Sequence, residues 1–505
     1  MQQFLMATKD ISLYTTANNL RNFVGLKVLP ANISQTIRKV RVLQNCLLTD
    51  IISKKQFTMD AVQQFGEVFT PQNIIDKLLV DIDYSNPNLK FCEPSFGDGR
   101  ILLELKSRLL PYHSEEHIIT NMLYGIEIQK GWFDDALKLI NPKGYKHNFI
   151  CASALNFDGI DNPLKEWIGA FDYVIGNPPY NRNILKKNEV TSIFWDPSGY
   201  TTKLAYCCFV VLAQYILKSG GTVSYVMPCS FTHNENTEQF REFMKSNLNI
   251  KSIEILPPDA FEGIMIRTCI FVANKGAQDG EINLKRLWNE KVYQSTTFYN
   301  QYNEIPLFLG DLSKSIYEKV MQNSHTLTAY KGWNGVDSYA KGSSADPNEY
   351  DYQYVDGVKK NEPIIKSTKY PDKVKASVNR KRNNVGTYDR FHLKKLLINE
   401  VMFNSFEVKN HIKYYIKDEK GKYGSSPKHT VIVFGNENVD DYIDDLKSPI
   451  AQMMLTIMKD YNHNDSKLFR YLPYGIAQTK LTEEEITFLD IFVNTKKEEV
   501  ISLGH

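Results

Sequence analysis

Seven short apolar runs, separated by longer helical patterns, fill the stretch from Phe91 to Phe271 and constrain the fold more than any other feature of the chain. They are LKFCE (89–93), LYGIE (123–127), NFICA (148–152), DYVIG (172–176), VSYVM (223–227), SIEIL (252–256) and TCIFVA (268–273). Runs of this length, rich in β-branched and aromatic residues, read as strands, and strands alternating with helices read as βαβ units. The fold class is therefore α/β: an open, largely parallel sheet with helices on both faces. Its ligand site is expected outside the carboxyl ends of the strands.

Other segments frame this core. Residues 1–62 have mostly helical patterning, as in Ile37 to Ile52, and are expected to form an N-terminal helical cap. The stretch KGAQDGE (275–281) reads as a linker, and the regular alternation is lost from about 283. Three domains are expected, at 1–62, 63–278 and 279–505. The last is α+β, with a loop at GSSADPNEYD (342–351), a basic and aromatic stretch, and a helical segment from Ile450 to Phe492. With 505 residues, 42% of them hydrophobic, the chain is globular rather than disordered, collagen-like or disulfide-stapled. Its seven cysteines show no CxxC spacing and sit mostly among apolar neighbours, which predicts buried free thiols, a reducing compartment and no metal centre. The start, MQQFLMATKD, has no secretory pattern, and the apolar stretch Leu204 to Leu217 falls short of the roughly twenty residues a spanning helix needs. A cytoplasmic protein with no membrane partner is expected.

The strand ends carry the chemistry. The first strand runs into Glu93-Pro94-Ser95-Phe96-Gly97-Asp98-Gly99 and then a helix. A Gly-x-Gly turn there lets a ligand approach the backbone, but the third glycine of a dinucleotide fingerprint is absent. The preceding carboxylate suits a cationic ligand better than a pyrophosphate. Glu127 closes the second strand, where a carboxylate accepts the hydroxyls of a ribose; its plainer reading is a solvated surface acid.

The fourth strand, FDYVIG, runs into Asn177-Pro178-Pro179-Tyr180. Two prolines fix the backbone and remove two donors, leaving carbonyl oxygens free to accept. The Asn177 side-chain oxygen and the Pro178 carbonyl together accept both hydrogens of a planar amino group and localise its lone pair, while Tyr180 stacks on the ring that bears it. A rigid turn closing a strand is the plainer alternative.

Taken in order, Phe65 to Pro71 (FGEVFTP), EPSFGDG, YGIE, FDYVIGNPPY, GGTVSYVMP and DAFEGIMIRTCIF resemble the gamma-class amino-methyltransferases of DNA. These are S-adenosylmethionine-dependent enzymes of restriction-modification systems that methylate adenine at N6. The resemblance covers residues 63 to 274. It implies a Rossmann-like methyltransferase sheet followed by a target-recognition domain. Thr70 and Pro71 would open a helix as N-cap and first position, burying Ile74, Ile75, Leu78 and Leu79, and close over the cofactor. Glu93, Ser95, Gly97 and Gly99 would hold its methionine portion; Glu127, with Ile128 beside it, would bind its ribose side. The family carries an acidic residue after the third strand, where this chain has Ser153; Ser153 or Asp158 would meet the cofactor's adenine amine. Asn177, Pro178, Pro179 and Tyr180 would act on a flipped-out adenine. Phe271, or else Phe261, would stack on its second face. The loop 181–200, with Arg182, Lys186, Lys187, Phe194 and Trp195, is either a mobile lid or a plain surface loop.

The net charge of +2 conceals a segregation. Residues 358–430 hold 18 Lys+Arg against 7 Asp+Glu, leaving 42 against 51 elsewhere. Lys373, Lys375, Arg380, Lys381 and Arg382 are its densest part, with Tyr370, Tyr388, Phe391, Tyr414 and Tyr415 nearby. Such a stretch is either a phosphate-tracking surface or a solvated basic face. Its place after the catalytic region favours double-stranded DNA as the partner. The acidic run ENVDDYIDD (437–445) reads as a solvated helix face, and no nuclease motif is found. A bacterial or phage-encoded enzyme is expected, with a separate cognate restriction endonuclease as a further partner left open. Two other readings stand: a methyltransferase acting on RNA adenine or a protein glutamine, and a modification subunit dependent on a separate specificity protein.

Overall fold

A computed structural model describes residues 69–155, 163–180, 204–257, 259–261, 266–288, 291–331, 353–354, 393–399, 415–420, 423–424, 429–458 and 466–494. The expected helical cap (1–62), Asp158, the loops 181–200 and 342–351, and Lys373, Lys375, Arg380, Lys381 and Arg382 lie outside the described residues, as do Tyr370, Tyr388, Phe391 and Tyr414.

The chain divides into two compact units. The first takes the described residues of Met1–Met227, Glu242–Lys251 and Ile270–Asp279. Its strands are β1 (Phe91–Glu93), β2 (Leu123–Glu127), β3 (Asn148–Cys151), β4 (Phe171–Gly176) and β5 (Leu217–Pro228), with parts of β6 (Leu248–Ile255) and β7 (Thr268–Lys275). They lie in the order β3-β2-β1-β4-β5-β7-β6. The first five pair in parallel, Glu93 opposite Gly125 and Gly176 opposite Tyr225. All three residues of β1 are buried, as a central parallel strand covered on both faces requires. Every strand expected in this region is present. β5 and β6 begin six and four residues earlier than their apolar runs, at Leu217 and Leu248 rather than Val223 and Ser252.

Four of the helices in this unit pack for a legible reason. α1 (Gln72–Leu78) buries Ile74, Ile75 and Leu78; α2 (Arg100–Leu109) buries Ile101, Leu102, Leu105 and Leu109; α3 (Lys130–Ile140) buries Phe133, Ala136 and Ile140. Each set follows helical spacing, and each fully buried Leu or Ile contributes about 1.5–3 kcal/mol. α4 (Ala205–Ile216) has ten of its twelve residues buried, as an all-round apolar helix must. The end of α1 is anchored because the Ser224 hydroxyl donates to the Leu78 carbonyl at 3.0 Å. No helix among the described residues is long and apolar enough to cross a membrane.

The second unit takes the described residues of Pro228–Arg241, Ser252–Cys269 and Gly280–His505. In it Ser252–Ile255 of β6 pairs in parallel with β8 (Ile282–Trp288), and β9 (Lys291–Thr297) runs antiparallel to β8. A separate antiparallel sheet is ordered β10-β15-β12-β13, from β10 (Thr328–Lys331), β12 (Lys395–Asn399), β13 (Tyr415–Asp418) and β15 (His429–Val433). A two-stranded ladder joins β11 (Gln353–Tyr354) to β14 (Tyr423–Gly424). Lys395 and Asp418, opposite each other on β12 and β13, form an ion pair at 2.6 Å with each side chain only 1% exposed. Helices α5 (Gly310–Met321), α6 (Val439–Lys447), α7 (Pro449–Met458) and α8 (Glu483–Asn494) complete it. The acidic run is helical as expected, but its end is not solvated. Asp445 is 4% exposed and accepts from the backbone amides of Gly475 at 2.6 Å and Ala477 at 3.1 Å.

Candidate active site

The parallel register brings the ends of β1, β2 and β4 together. The loop after β1 is pinned to β2, because the Phe96 amide donates to the Ile126 carbonyl at 3.1 Å and the Gly97 amide to Glu127 Oε2 at 2.9 Å. Glu127 Oε1 accepts from the Gln129 amide at 2.8 Å. Both carboxylate oxygens are thus oriented by the backbone. Gly97 and Gly99 have φ of +53° and +79°, in the left-handed region that favours glycine. A Cβ at Gly99 would lie 2.9 Å from Ile140 Cδ1 and 3.0 Å from Ala136 Cβ, so the turn seats directly on α3.

Glu93 is 2% exposed, and burial, then the nearby Asp98 and Glu127, push its carboxyl well above the usual carboxylate range. Among the described residues, Glu93 Oε2 and Ser95 Oγ are buried with no hydrogen-bond partner. An unsatisfied buried acceptor flanked by other carboxylates is what a cationic group would stabilise. The residues therefore fit the ammonium of a bound amino-acid moiety. The end of β4 packs close by: a Cβ at Gly176 would stand at ordinary contact distance, 3.6 Å from Glu93 Cγ and 3.5 Å from Tyr225 Cε1.

At the end of β4 the Tyr180 hydroxyl donates to Asn177 Oδ1 at 2.6 Å, and Asn177 Nδ2 donates to Thr70 Oγ1 at 3.2 Å. Thr70 is 3% exposed. It was expected as the N-cap of α1, yet Pro71 holds that position, with φ −60° and ψ 152°, and its carbonyl accepts from the amides of Ile74 and Ile75, both at 3.0 Å. The Thr70 hydroxyl is thereby left to serve Asn177 instead. The Thr70 carbonyl accepts from Arg100 Nη1 at 3.1 Å, and Arg100 is clamped by Asp98, Nε to Oδ2 at 2.9 Å and Nη2 to Oδ2 at 2.6 Å. The Arg100 guanidinium also stands 4.6 Å above the Phe69 ring, which meets Trp132 edge-on at 5.6 Å.

The structure brings Thr70, Pro71, Glu93, Ser95, Gly97, Gly99, Glu127, Asn177 and Tyr180 into one unit on adjoining strand ends and turns. Pro178 is buried and Pro179 half-buried; Ser153 is half-buried after β3, and Ile128, following Glu127, is 57% exposed. Phe271, expected to stack on a base, has no exposed surface on β7, so it is a core side chain here; Phe261 is 4% exposed. Among the described residues no group of His, Cys, Asp and Glu could hold a metal ion. Sequence reasoning missed Arg100, Phe69, Trp132 and Tyr225. Arg100 had a signal: a cation at the first residue of a helix opposes the helix dipole, so it needs a specific partner. Tyr225, buried with its hydroxyl unpartnered among the described residues, read as an ordinary strand aromatic.

The first unit thus joins a Rossmann-like α/β sheet to a carboxylate-flanked turn after β1 and an Asn-Pro-Pro-Tyr turn after β4. The chain belongs to the N-6 DNA methylase family, whose model matches residues 51–359. It is 26% identical over 227 residues to the type II methyltransferase M.HincII of Haemophilus influenzae, covering 43% of this chain and 39% of that protein. It is 25% identical over 231 residues to the modification methylase CviBIII of Paramecium bursaria Chlorella virus NC1A, covering 45% of this chain and 54% of the relative. The chain thus spans about two-fifths to a little over half the length of these curated relatives. Its fold is similar to that of a nuclease-deletion mutant of the type ISP restriction-modification enzyme LlaGI solved with a DNA substrate mimic. That likeness has a TM-score of 0.50 at 12% identity, covering 94% of this chain and 60% of that one.

Proposed function

We propose that the chain is a site-specific DNA methyltransferase that transfers a methyl group from S-adenosylmethionine to N6 of a flipped-out adenine in duplex DNA. Residues 63–278 form the catalytic domain and 279–505 the target-recognition domain, with Lys373, Lys375, Arg380, Lys381 and Arg382 meeting phosphates. The observation that carries the reading is the Asn177 carboxamide, held between Thr70 and Tyr180 in the same unit as Glu93, whose Oε2 is buried with no hydrogen-bond partner among the described residues. The family match and the relatives named type II methyltransferase and modification methylase support the same substrate class. A cytoplasmic enzyme of a bacterium or phage, sharing its site with a separate endonuclease, is the setting that restriction-modification relatives suggest.

When bound, the cofactor supplies an electrophilic methyl on a sulfonium. Glu93 would hold its ammonium, with Ser95, Gly97 and Gly99 shaping the backbone around it; Glu127 would accept from its ribose hydroxyls, and Ile128 and Ser153 would serve its adenine side. On the substrate side, Asn177 Oδ1 and the Pro178 carbonyl accept the two hydrogens of the adenine amino group. Holding both localises the nitrogen lone pair toward the methyl, a stabilisation of developing charge that needs no strong base. Pro178 and Pro179 keep the acceptors fixed, and the Tyr180 ring stacks on the base once its hydroxyl leaves Asn177.

Purified chain is expected to transfer labelled methyl groups to duplex DNA. Asn177→Ala should lower transfer by about a hundredfold or more, in line with the loss of a preorganised polar partner, with cofactor affinity kept. Label appearing only in RNA or protein contradicts the proposal; transfer that requires an added partner favours the specificity-dependent subunit.

A further inference from the structure

An asparagine carboxamide can present either its oxygen or its nitrogen to a neighbour by rotating about its terminal torsion. Only the oxygen accepts; presented to an adenine amino group, the Nδ2 hydrogens would oppose two donors. Something must therefore hold the amide the right way round. Asn177 Nδ2 donates to Thr70 Oγ1 at 3.2 Å, and Thr70 is 3% exposed, so water does not compete for that hydroxyl. With the nitrogen engaged there, Oδ1 points to the Tyr180 hydroxyl, which donates to it at 2.6 Å.

Thr70 is itself held from the other side of the site. Its carbonyl accepts from Arg100 Nη1 at 3.1 Å, and Arg100 is gripped by Asp98, a member of the Gly97-Asp98-Gly99 turn. The series Asp98, Arg100, Thr70, Asn177, Tyr180 therefore runs from the turn after β1 to the turn after β4. In it, Thr70 uses its backbone toward Arg100 and its side chain toward Asn177.

We propose that Thr70 is a positioning residue for Asn177, its hydroxyl holding the Nδ2 end of the carboxamide so that Oδ1 faces the base. The inference rests on the reading of Asn177 as the group that accepts from adenine. The Tyr180 hydroxyl acts as a stand-in donor on Oδ1 until the base amine replaces it.

The test uses the full chain and duplex DNA, with two readouts: single-turnover methyl transfer, and S-adenosylmethionine affinity by calorimetry without DNA. Thr70→Val, nearly the same shape, removes the acceptor. It should slow transfer about 10- to 100-fold, the scale of a small misplacement of a catalytic group, with cofactor affinity within about twofold. Thr70→Ala, which adds no bulk, should give the same split, and Thr70→Ser should recover most of the rate. Transfer at the wild-type rate in Thr70→Val and Thr70→Ala overturns the proposal. So does a loss of cofactor affinity that accounts for the whole fall in rate, since Thr70 would then be a cofactor contact. Asn177→Ala is assayed in parallel: if it transfers normally, the reading of Asn177 fails, an outcome distinct from failure at Thr70 alone.

Discussion

At the residue scale, Glu93 shows a group held against its own folding preference. Burial first, then Asp98 and Glu127, raise its pKa well above the ordinary value of 4.5. The sign follows directly. When a carboxyl is harder to ionise folded than unfolded, the folded state keeps its proton longer. The group's contribution to stability is therefore complete below about pH 4.5 and is lost as pH rises toward the raised folded value. Glu93→Gln, which does not titrate, is expected to raise the thermal midpoint of the cofactor-free protein near neutral pH. The gain should shrink as pH falls toward about 4.5 and be gone below it, and the variant's affinity for S-adenosylmethionine should drop. Equal melting curves for the two proteins at pH 7 would show that the Glu93 carboxylate is not strained. Site chemistry of this kind was legible where residue type is decisive, as with Glu93, Glu127 and Asn177. The roles of Thr70 and Arg100 were not, because they depend on which groups other elements leave unsatisfied.

At the scale of elements, the turn between β1 and α2 bears the closest tolerances. Gly97 and Gly99 both have positive φ, but only Gly99 is also closed in, by Ile140 and Ala136. Gly97→Ala should cost about 1–2 kcal/mol for the left-handed backbone. Gly99→Ala should cost roughly 2–5 kcal/mol, since the added methyl must also displace α3. Denaturant unfolding of the two variants separates the terms, and equal losses would mean that α3 yields freely. The strands were readable from sequence because β1, β2 and β4 are nearly continuous apolar runs, the signature of strands covered on both faces. The early starts of β5 and β6 were not, because Gly220, Gly221, Asn249 and Lys251 look like loop residues. They belong to the strands all the same: Leu217 already pairs with Phe171 of β4, and the register shifts before Thr222 pairs with Tyr173. Phe271 shows the converse limit. A strand aromatic near a site looks alike in sequence whether it faces the ligand or the core, and here it is core.

At the scale of the whole molecule, the overall charge of +2 conceals a basic stretch of 18 Lys+Arg against 7 Asp+Glu. Part of that surplus is already paired within the chain: Lys395 is buried against Asp418, and the exposed Lys417 pairs with Asp440. The proposed phosphate contacts are Lys373, Lys375, Arg380, Lys381 and Arg382, the densest part of that stretch. Near-neutrality combines two proposed tasks, a carboxylate-lined cofactor site and a cationic DNA surface, and only the first sits on a fold that periodicity could reveal. Methylation of DNA at adenine N6 is the claim on which everything else depends. The most direct measurement is single-base mapping of N6-methyladenine in the DNA of cells expressing the chain, beside cells expressing Asn177→Ala. Methylation at one short recurring sequence, absent with the variant, is the predicted result; unmodified adenine in both, with the protein present and folded, would contradict it.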